Sequence, residues 1–354
     1  MKLLERSSHH TMRRLRVLAL LLAPWTRSGA FVAPSHRSRA TRLRATVAIV
    51  GDCHDQWDAA DGAALEALGP DLVLFVGDFG NENVDVVRAV SALRLPKAAI
   101  LGNHDAWFSV FRNRKRIAER TPRAAEQIAL LSDADVGYGR RDFPALNASV
   151  VGARPISWGG PNRGKRHAEQ LKMWRFLRRH YGVSSEEASV ARMAECAAAA
   201  APRRVIFLAH NGPAGLGAAP SDICGRDWSA KAGPDWGGDW GDEDLAAAIA
   251  DAKRRGRCVP LVVFGHMHRR LQGASERRTS LVERDGTLYL NVAEVPRWRG
   301  EGEAREQHVT LVSWSADGDA IDEVRDVWLA ADGRCAPGEG GVLYTNRPAG
   351  GALP

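Results

Sequence analysis

Residues 45–54 read Ala-Thr-Val-Ala-Ile-Val-Gly-Asp-Cys-His, an apolar run that stops at a glycine followed by an aspartate and a histidine. A short continuous apolar run, rather than an alternating one, suits a β-strand that is covered on both faces. Glycine after the run allows a sharp turn or a close approach to another segment. We therefore predict a buried strand whose carboxyl end presents Asp52 and His54.

Four more apolar runs end in the same way, at residues 72–76, 98–101, 205–209 and 261–264. They are closely followed by side chains that can bind a metal: Asp78, Asn103, His210, His266 and His268. Ligands in open α/β sheets bind outside the carboxyl ends of the strands, so side chains at five such ends can converge in one cleft. One such motif alone is usually a turn or a hydrogen-bonded core histidine, but five together favour a metal site.

The donor types indicate which metals would fit. Carboxylate, imidazole and amide oxygen suit Mn²⁺, Fe or Zn²⁺, and two such cations held close together can activate water at neutral pH. Cys53 lies between two of these ligands, but in an extended segment its side chain points away from theirs, so we interpret it as a packing residue. The five cysteines are scattered without a C-x-x-C pair, which argues against a disulfide framework and a cysteine-based zinc site.

In chain order the motifs read Asp-x-His, Gly-Asp, Gly-Asn-His-Asp, His and Gly-His-x-His, and they span residues 52–268. This series resembles the calcineurin-like metallophosphoesterase superfamily. The resemblance implies an α/β fold, a four-layer αββα sandwich of two mixed β-sheets flanked by helices. It also implies a metal-dependent phosphoric ester hydrolase.

The resemblance further implies a role for each ligand. Three side chains would hold the first ion, namely Asp52, His54 and His268. Three others would hold the second ion, namely Asn103, His210 and His266. Asp78 would bridge the two divalent ions, which would be Mn or Fe, with Zn as an alternative.

Two residues would be catalytic without binding metal. His104 would assist the leaving oxygen, and Asp105 would orient its imidazole. The implied reaction is hydrolysis of a phosphomonoester or small phosphodiester, by in-line attack of a hydroxide that bridges the ions. The alternatives are a nuclease or cyclic-nucleotide phosphodiesterase with the same site, and a non-catalytic metal-binding scaffold. The complete ligand set and the presence of His104 disfavour the scaffold.

Two motifs depart from the commonest pattern of the superfamily. After Asp78 the chain continues Phe-Gly-Asn, where many relatives read Gly-Asp-x-x-Asp. His210 is followed by Asn-Gly-Pro-Ala-Gly-Leu-Gly, where many members have a different Pro-containing turn. Together with segments 224–228 and 237–242, these features resemble a subgroup found in cyanobacteria and plastids.

Candidate substrate-binding residues lie in the Gly- and Trp-rich loop 211–241 and just after the last histidine motif. Guanidinium groups suit paired phosphate oxygens, and aromatic side chains can stack on a base or ring. The candidates are Arg226, Trp228 and Arg269, with Arg270 as a further arginine. Packing of the tryptophans and surface solubility of the arginines would explain them equally well.

The positive charge of the chain is confined to its start. Residues 1–45 carry ten Lys and Arg against one acid, a net of +9, so the remainder carries −2 of the total of +7. A protein that tracks a polyanion needs a basic surface. We therefore expect a small phosphorylated substrate and no nucleic-acid partner.

Residues 1–45 are predicted to be a bipartite presequence. The basic start, the apolar run 17–23 and the small residues 28–30 follow the plan of a signal peptide, and the run is too short to span a bilayer. The stretch that follows contains Arg and Ser but no acids, as in a transit peptide. This favours delivery to a complex plastid, with secretion as the alternative, and no membrane span in the mature protein.

Residues 46–336 are predicted to form the catalytic domain. The ligand-free stretch 106–204 would form a cap over the site, or would simply cover the sheet. After the last histidine motif the apolar pattern alternates, which predicts antiparallel strands. The Gly- and Pro-rich tail 337–354 is predicted to be disordered. Helices are predicted at 61–68, 84–93, 107–131, 165–181 and 184–201.

Overall fold

The structure, a computed structural model, describes residues 44–111, 123–160, 167–202, 204–227, 238–272, 275–315 and 320–346. The predicted presequence therefore lies, up to residue 43, outside the described residues. Among the described residues, no helix combines the length and the apolar character that crossing a bilayer requires.

The described residues form thirteen strands and six α-helices. The strands are β1 (Arg44–Val50), β2 (Leu72–Phe75), β3 (Lys97–Ala99), β4 (Arg140–Phe143), β5 (Ala148–Gly152), β6 (Arg204–Leu208), β7 (Cys258–Phe264), β8 (Leu281–Arg284), β9 (Thr287–Asn291), β10 (Trp298–Arg299), β11 (Glu306–Ser315), β12 (Glu323–Ala330) and β13 (Cys335–Thr345). The helices are α1 (Ala59–Leu68), α2 (Val84–Ala92), α3 (Arg123–Leu131), α4 (His167–Tyr181), α5 (Glu186–Ala198) and α6 (Glu243–Arg254).

The first sheet has the spatial order β13-β12-β11-β1-β2-β3, with β10 paired to β11. Its first three strands along the chain pair in parallel, as expected for a βαβαβ unit. Strands β11, β12 and β13 are antiparallel additions beside β1. The sheet is therefore mixed.

The second sheet has the order β4-β5-β6-β7-β9-β8. Its four central strands are parallel, and the two outer strands are antiparallel to their neighbours. Strand β9 was expected to be antiparallel, but it lies parallel to β7 and pairs antiparallel only with β8. The predicted fold class is confirmed: the chain folds into two mixed β-sheets with helices.

The continuous apolar runs are strands covered on both faces. In β1, residues 47–50 are completely buried, and so is every residue of β2. Both strands lie inside the first sheet, with a neighbour on each side. The absence of alternation in these segments thus follows from their burial on both faces of the sheet.

Side-chain caps determine where the first two helices begin. Asp58 precedes α1, and its carboxylate accepts the backbone N–H groups of Ala60 and Asp61 at 2.8 and 3.4 Å. Asn83 caps α2 by accepting from Asp85 and Val86. Because these short side chains satisfy N–H groups that have no partner within the helix, they define its first turn.

The prediction for the tail is wrong over much of its length. Strand β13 runs to Thr345 and pairs antiparallel with β12, although it contains Pro337 and several glycines. Strand β13 lies at the edge of its sheet, where proline, which has no N–H, is tolerated, and β12 offers partners to the other backbone groups. The register shifts between Val324 and Val327 accommodate the irregular segment. Residues 347–354 lie outside the described residues.

The helix predicted over 107–131 is present in part among the described residues. Residues 107–111 form a single π-helical turn, Arg123–Leu131 form α3, and residues 112–122 lie outside the described residues. The helices predicted at 165–181 and 184–201 are present as α4 and α5. Helix α5 contacts β5, whereas α4 contacts the π-helical turn. The sequence reasoning missed the short edge strands β4 and β8.

Gly51, at the end of β1, tests how closely the two sheets approach each other. A Cβ atom there would collide with the backbone carbonyl of Val292, which follows β9 of the other sheet. We expect Gly51→Ala to lower the free energy of unfolding by about 1–3 kcal/mol, as measured by urea denaturation.

The control is Gly62→Ala within α1, where the nearest atom would be a Leu93 methyl carbon at 3.7 Å. Alanine favours helix over glycine, so stability should stay unchanged or rise by up to about 1 kcal/mol. Equal destabilisation by both substitutions would contradict the close approach of the sheets at Gly51.

Candidate metal centre

Five strands end at one place, and the loop after each contributes a polar side chain. The loops after β1, β2 and β3 belong to the first sheet, and those after β6 and β7 to the second. The structure brings together all seven predicted metal ligands: Asp52, His54, Asp78, Asn103, His210, His266 and His268. Their donor atoms form two neighbouring clusters, and a third group joins His54 and Asp78 to His104.

The first cluster consists of Asp52, His54 and His268, whose donor atoms all lie within 4.8 Å of one another. The Nε2 atoms of the two histidines are 3.0 Å apart. Asp52 Oδ2 lies 3.5 Å from Nε2 of His268 and 4.0 Å from Nε2 of His54. Two imidazole nitrogens and a carboxylate oxygen therefore converge on one point.

The second cluster is built around His210. Its Nδ1 atom donates a hydrogen bond to the carbonyl of Val76 at 2.8 Å. In the neutral ring the lone pair of Nε2 then faces Asn103 Oδ1 at 2.9 Å and Asp78 Oδ1 at 3.4 Å. Acceptors that face each other at these distances need a proton or a cation between them. His266 completes this group with Asp78 and His210.

Asp78 faces both clusters. Its Oδ1 lies 3.4 Å from His210 Nε2, and its Oδ2 lies 3.7 Å from His54 Nε2. Its backbone has a φ of 50°, a conformation that is uncommon for residues other than glycine and is concentrated at functional sites. This conformation places one carboxylate between the two groups of imidazoles.

The electrostatics keep Asp52, Asp78 and His266 in the forms that bind metal. Burial tends to raise the pKa of the Asp52 and Asp78 carboxyls, but the hydrogen bond from His268 to Asp52 and the charges of nearby histidines outweigh it, so both pKa values are lowered. Burial and the neighbouring His210 lower the pKa of His266 to about 3. The pKa of His268 is raised instead, because its hydrogen bond to Asp52 and the charges of Asp52 and Asp78 outweigh the effect of burial. Two carboxylates and a neutral imidazole are therefore present at neutral pH, as metal coordination requires.

The donor set fits a pair of divalent cations. It combines carboxylate oxygen, imidazole nitrogen and amide oxygen, which are the ligands of Mn, Fe and Zn. Cys53 is buried, and its thiol contacts the carbonyl of Gly51 at 3.7 Å. The thiol belongs to none of the clusters that the described residues form, in agreement with its interpretation as a packing residue.

The expected role of Asp105 is wrong. Its buried carboxylate accepts hydrogen bonds from the backbone N–H groups of Phe79 and Gly102, at 2.8 and 2.7 Å. It thereby joins the loop of Asp78 to the loop of Asn103. The imidazole of His104 is held instead by Asn81, whose Oδ1 lies 2.7 Å from Nδ1. The sequence motif Gly-Asp-Phe-Gly-Asn could have indicated this role of Asn81, because Asn81 lies just three residues after Asp78.

The structure places the candidate substrate-binding residues in different environments. Arg269 is buried, donates to the carbonyl of Asn291 at 3.0 and 2.8 Å, and forms an ion pair with Asp326, so the prediction that it binds substrate is wrong. Its exposed neighbour Arg270 lines the cleft beside the clusters. Arg226 lies over the ring of Trp240 at 5.0 Å. Trp228 lies outside the described residues.

The cleft has a volume of about 310 Å³ and an aromatic wall that sequence reasoning missed. Trp107 stacks on His104, with the ring centroids 4.6 Å apart and the planes at 9°. Trp158 stacks on Trp107 at 5.3 Å and 30°. Only the position of Trp107, three residues after His104, could have drawn attention to it in the sequence.

Removal of the central carboxylate should reduce the metal content. We expect the wild-type chain dialysed against Mn²⁺ to retain about two ions, and Asp78→Ala to retain fewer than one, because both clusters lose a ligand. The measurement is metal content by inductively coupled plasma mass spectrometry. Asp85→Ala, at an exposed position in the first turn of α2, is the control. Equal metal contents in the two variants would refute the central position of Asp78.

Comparisons with known proteins find distant likenesses among solved structures. The protein TT1561 of Thermus thermophilus is 11% identical, with 77% of this chain and 99% of its own chain covered and a TM-score of 0.42. A purple acid phosphatase from yellow lupin (Lupinus luteus) seeds is 12% identical, with 83% of this chain and 53% of its own chain covered and a TM-score of 0.41. A metallophosphoesterase from Sphaerobacter thermophilus is 13% identical, with 78% of this chain and 86% of its own chain covered and a TM-score of 0.32. Likenesses this distant carry no argument about function. A search of curated proteins finds no match.

The family assignment depends on the sequence profile. The profile of the calcineurin-like phosphoesterases matches residues 45–270, which is more than half of the chain and includes all seven predicted ligands. The same segment carries the two donor clusters. The chain therefore belongs to the calcineurin-like phosphoesterase family and is a metal-dependent phosphoesterase.

Proposed function

We propose that this chain hydrolyses a phosphomonoester or a small phosphodiester with two divalent metal ions. The observation that supports this most directly is Asp78, whose two carboxylate oxygens face different imidazoles at 3.4 and 3.7 Å. Asp52, His54 and His268 would hold one ion, and Asn103, His210 and His266 the other. Bound there, the ions would lower the pKa of water and neutralise charge on the phosphoryl oxygens. The donor types favour Mn or Fe, with Zn as an alternative.

His104 would donate a proton to the leaving oxygen. Its ring lines the cleft, and its Nδ1 is engaged by Asn81, so Nε2 is the nitrogen that can reach a substrate. Burial lowers the pKa of His104, which makes its protonated form a stronger acid. In this proposal the proton passes from Nε2 to the ester oxygen as the bond from phosphorus to that oxygen breaks.

Arg270 would bind the phosphoryl group in place of Arg269. It is exposed, and it lines the cleft together with Asp78, Asn103 and His268. A guanidinium group donates two parallel hydrogen bonds to phosphate oxygens.

The volume of the cleft and the net charge of the protein support a small substrate. The cleft has a volume of about 310 Å³, at the lower end of the range for sites that bind small molecules. The chain after residue 45 carries a net charge of −2. A long nucleic acid would require a basic surface along its path, so we disfavour a nuclease.

The presequence supports delivery to a complex plastid, with secretion as the alternative. Residues 1–45 combine the plan of a signal peptide with an acid-free, arginine-rich stretch. The turn after His210 supports a closer relation to the cyanobacterial and plastid subgroup. Fusion of residues 1–45 to a fluorescent protein in an alga with complex plastids tests this destination, and fluorescence in the medium would support secretion instead.

Turnover of a simple ester tests the proposed function. We expect the purified full chain with Mn²⁺ to hydrolyse p-nitrophenyl phosphate or its bis-ester, and Asp78→Ala to be inactive. The assay follows p-nitrophenolate absorbance before and after chelation of the metal. If neither ester is hydrolysed with Mn, Fe or Zn, the non-catalytic scaffold becomes the better explanation.

His104 and Asn81 should affect the rate without affecting metal content. We expect His104→Ala to lower kcat by about 10²–10⁴-fold, the typical contribution of a general acid. Asn81→Ala should lower kcat by a smaller factor with little change in KM, because the imidazole remains but loses its acceptor. Asn81→Asp, which keeps an acceptor oxygen, is the matched control and should retain most of the rate. Loss of metal in His104→Ala would contradict its assigned role.

A further inference from the structure

The aromatic wall of the cleft consists of His104, Trp107 and Trp158. The three rings follow one another, with centroid distances of 4.6 and 5.3 Å. All three line the cleft and are partly exposed. The wall thus begins at the proposed proton donor and extends outward from it by two indole rings.

The position of Trp158 is held by a buried neighbour. Trp240 donates from its Nε1 to the backbone carbonyl of Trp158 at 3.1 Å, and its own carbonyl accepts from the N–H of Gly160 at 2.8 Å. A side chain at Gly159 or Gly160 would collide with Trp240, and both glycines have a positive φ. The loop that carries Trp158 therefore packs tightly on Trp240.

The same buried neighbour connects the wall to the metal centre. The side-chain amide of Asn211 donates to the carbonyl of Trp240 at 2.9 Å. Asn211 directly follows the ligand His210. The wall is thus fixed relative to the second donor cluster.

Trp107 is held by the loops of the centre itself. It begins the π-helical turn that follows the short helical turn of His104. The buried carboxylate of Glu82 accepts from the backbone N–H of Ser109, and the N–H of Glu82 donates to the carbonyl of His104 at 3.0 Å. Both ends of this segment are therefore attached to the loop that follows Asp78.

The position of the wall matters because of what must lie next to His104. If His104 protonates the leaving oxygen, as in the proposed function on which this inference depends, the organic group on that oxygen lies on the same side of the cleft. That side is formed by indole rings. Planar aromatic rings pack on indole with offset or edge-to-face geometry. Such pairs are stabilised by more than the burial of their apolar surface area alone.

The geometry points to Trp107 and Trp158 as a leaving-group subsite that selects phosphate esters carrying a planar aromatic or heteroaromatic ring. Arg270 and Gln272 line the same cleft and can donate hydrogen bonds to polar groups of such a ring or to its phosphate. The substrate class is therefore an aryl or arylmethyl phosphate or a nucleotide, in preference to an aliphatic phosphate.

The test compares two esters that differ in the ring. Benzyl phosphate and cyclohexylmethyl phosphate have leaving alcohols of similar size and basicity, but only the first is planar and aromatic. We expect wild-type kcat/KM to favour benzyl phosphate by about tenfold, which corresponds to about 1.4 kcal/mol. Trp158→Ala should remove this preference, and Trp158→Phe should keep most of it.

Trp158 is the residue to change because Trp107 also contacts His104, so its loss would alter the proton donor as well. Trp298→Leu is the control, since Trp298 lies in β10 and does not line the cleft. It should leave the preference unchanged. Circular dichroism and metal content confirm that each variant is folded and loaded.

A second pair of substrates distinguishes a nucleobase from a smaller aromatic ring. Adenosine 5′-monophosphate and ribose 5-phosphate share the phosphorylated sugar and differ in the base. A preference for the nucleotide that Trp158→Ala removes would assign a nucleobase to the subsite. A preference confined to the benzyl ester would assign a smaller aromatic group.

Equal losses of kcat/KM for both members of each pair would overturn the subsite, since the wall would then only support His104. Unchanged kinetics in Trp158→Ala would overturn it as well. If the wild type hydrolyses none of these monoesters, the proposed function is judged by its own test with p-nitrophenyl phosphate and the bis-ester, and the subsite is judged by calorimetric binding of benzylphosphonate and cyclohexylmethylphosphonate. Equal affinities would then overturn it, and a preference for benzylphosphonate that depends on Trp158 would support it.

Discussion

The central constraint on this structure is that two buried carboxylates lie close together. Their mutual repulsion and their loss of hydration must be offset by the groups around them. Asp52 and Asp78 are each 1% exposed, and both keep lowered pKa values because histidines surround them. A third buried acid is Asp105, whose pKa is raised by its burial and by the charge of Asp78. It accepts backbone N–H groups from two of the loops and so keeps Asp78 and Asn103 in place. Buried negative charge is tolerable at Asp52 and Asp78 because imidazoles surround both carboxylates.

Each sheet contributes only part of the centre. Asp52, Asp78 and Asn103 follow strands of the first sheet, whereas the histidines after β6 and β7 follow strands of the second. Glycines at the junction allow the loops to meet, since a Cβ atom at Gly265 would collide with the carboxylate of Asp52. The donor clusters therefore form only when both sheets are folded and packed against each other. The proposed metal binding thus depends directly on the integrity of the fold.

The donor clusters and the aromatic wall are positioned by different kinds of structure. The donor clusters lie at strand ends, where the hydrogen-bonded sheets leave the backbone little conformational freedom. The wall of Trp107 and Trp158 is formed by loops that are supported by Trp240, Glu82 and paired glycines. Substrate preference in such a protein can change through the loops while the donor clusters stay the same, because the strands determine only the positions of the ligands.

The sequence by itself determined the five strands that lead into the centre, the fold class and the seven side chains that meet there, because apolar runs and the residues at their ends are local signals. It did not determine which partner each side chain finds. Asn81 holds His104 in place of Asp105, Arg269 is buried while Arg270 faces the cleft, and β13 pairs with β12 despite its composition. Those outcomes depend on how segments distant along the chain approach one another in space. Only the tertiary structure decides that approach, since burial, hydrogen-bond geometry and the direction of a side chain are properties of the packed molecule.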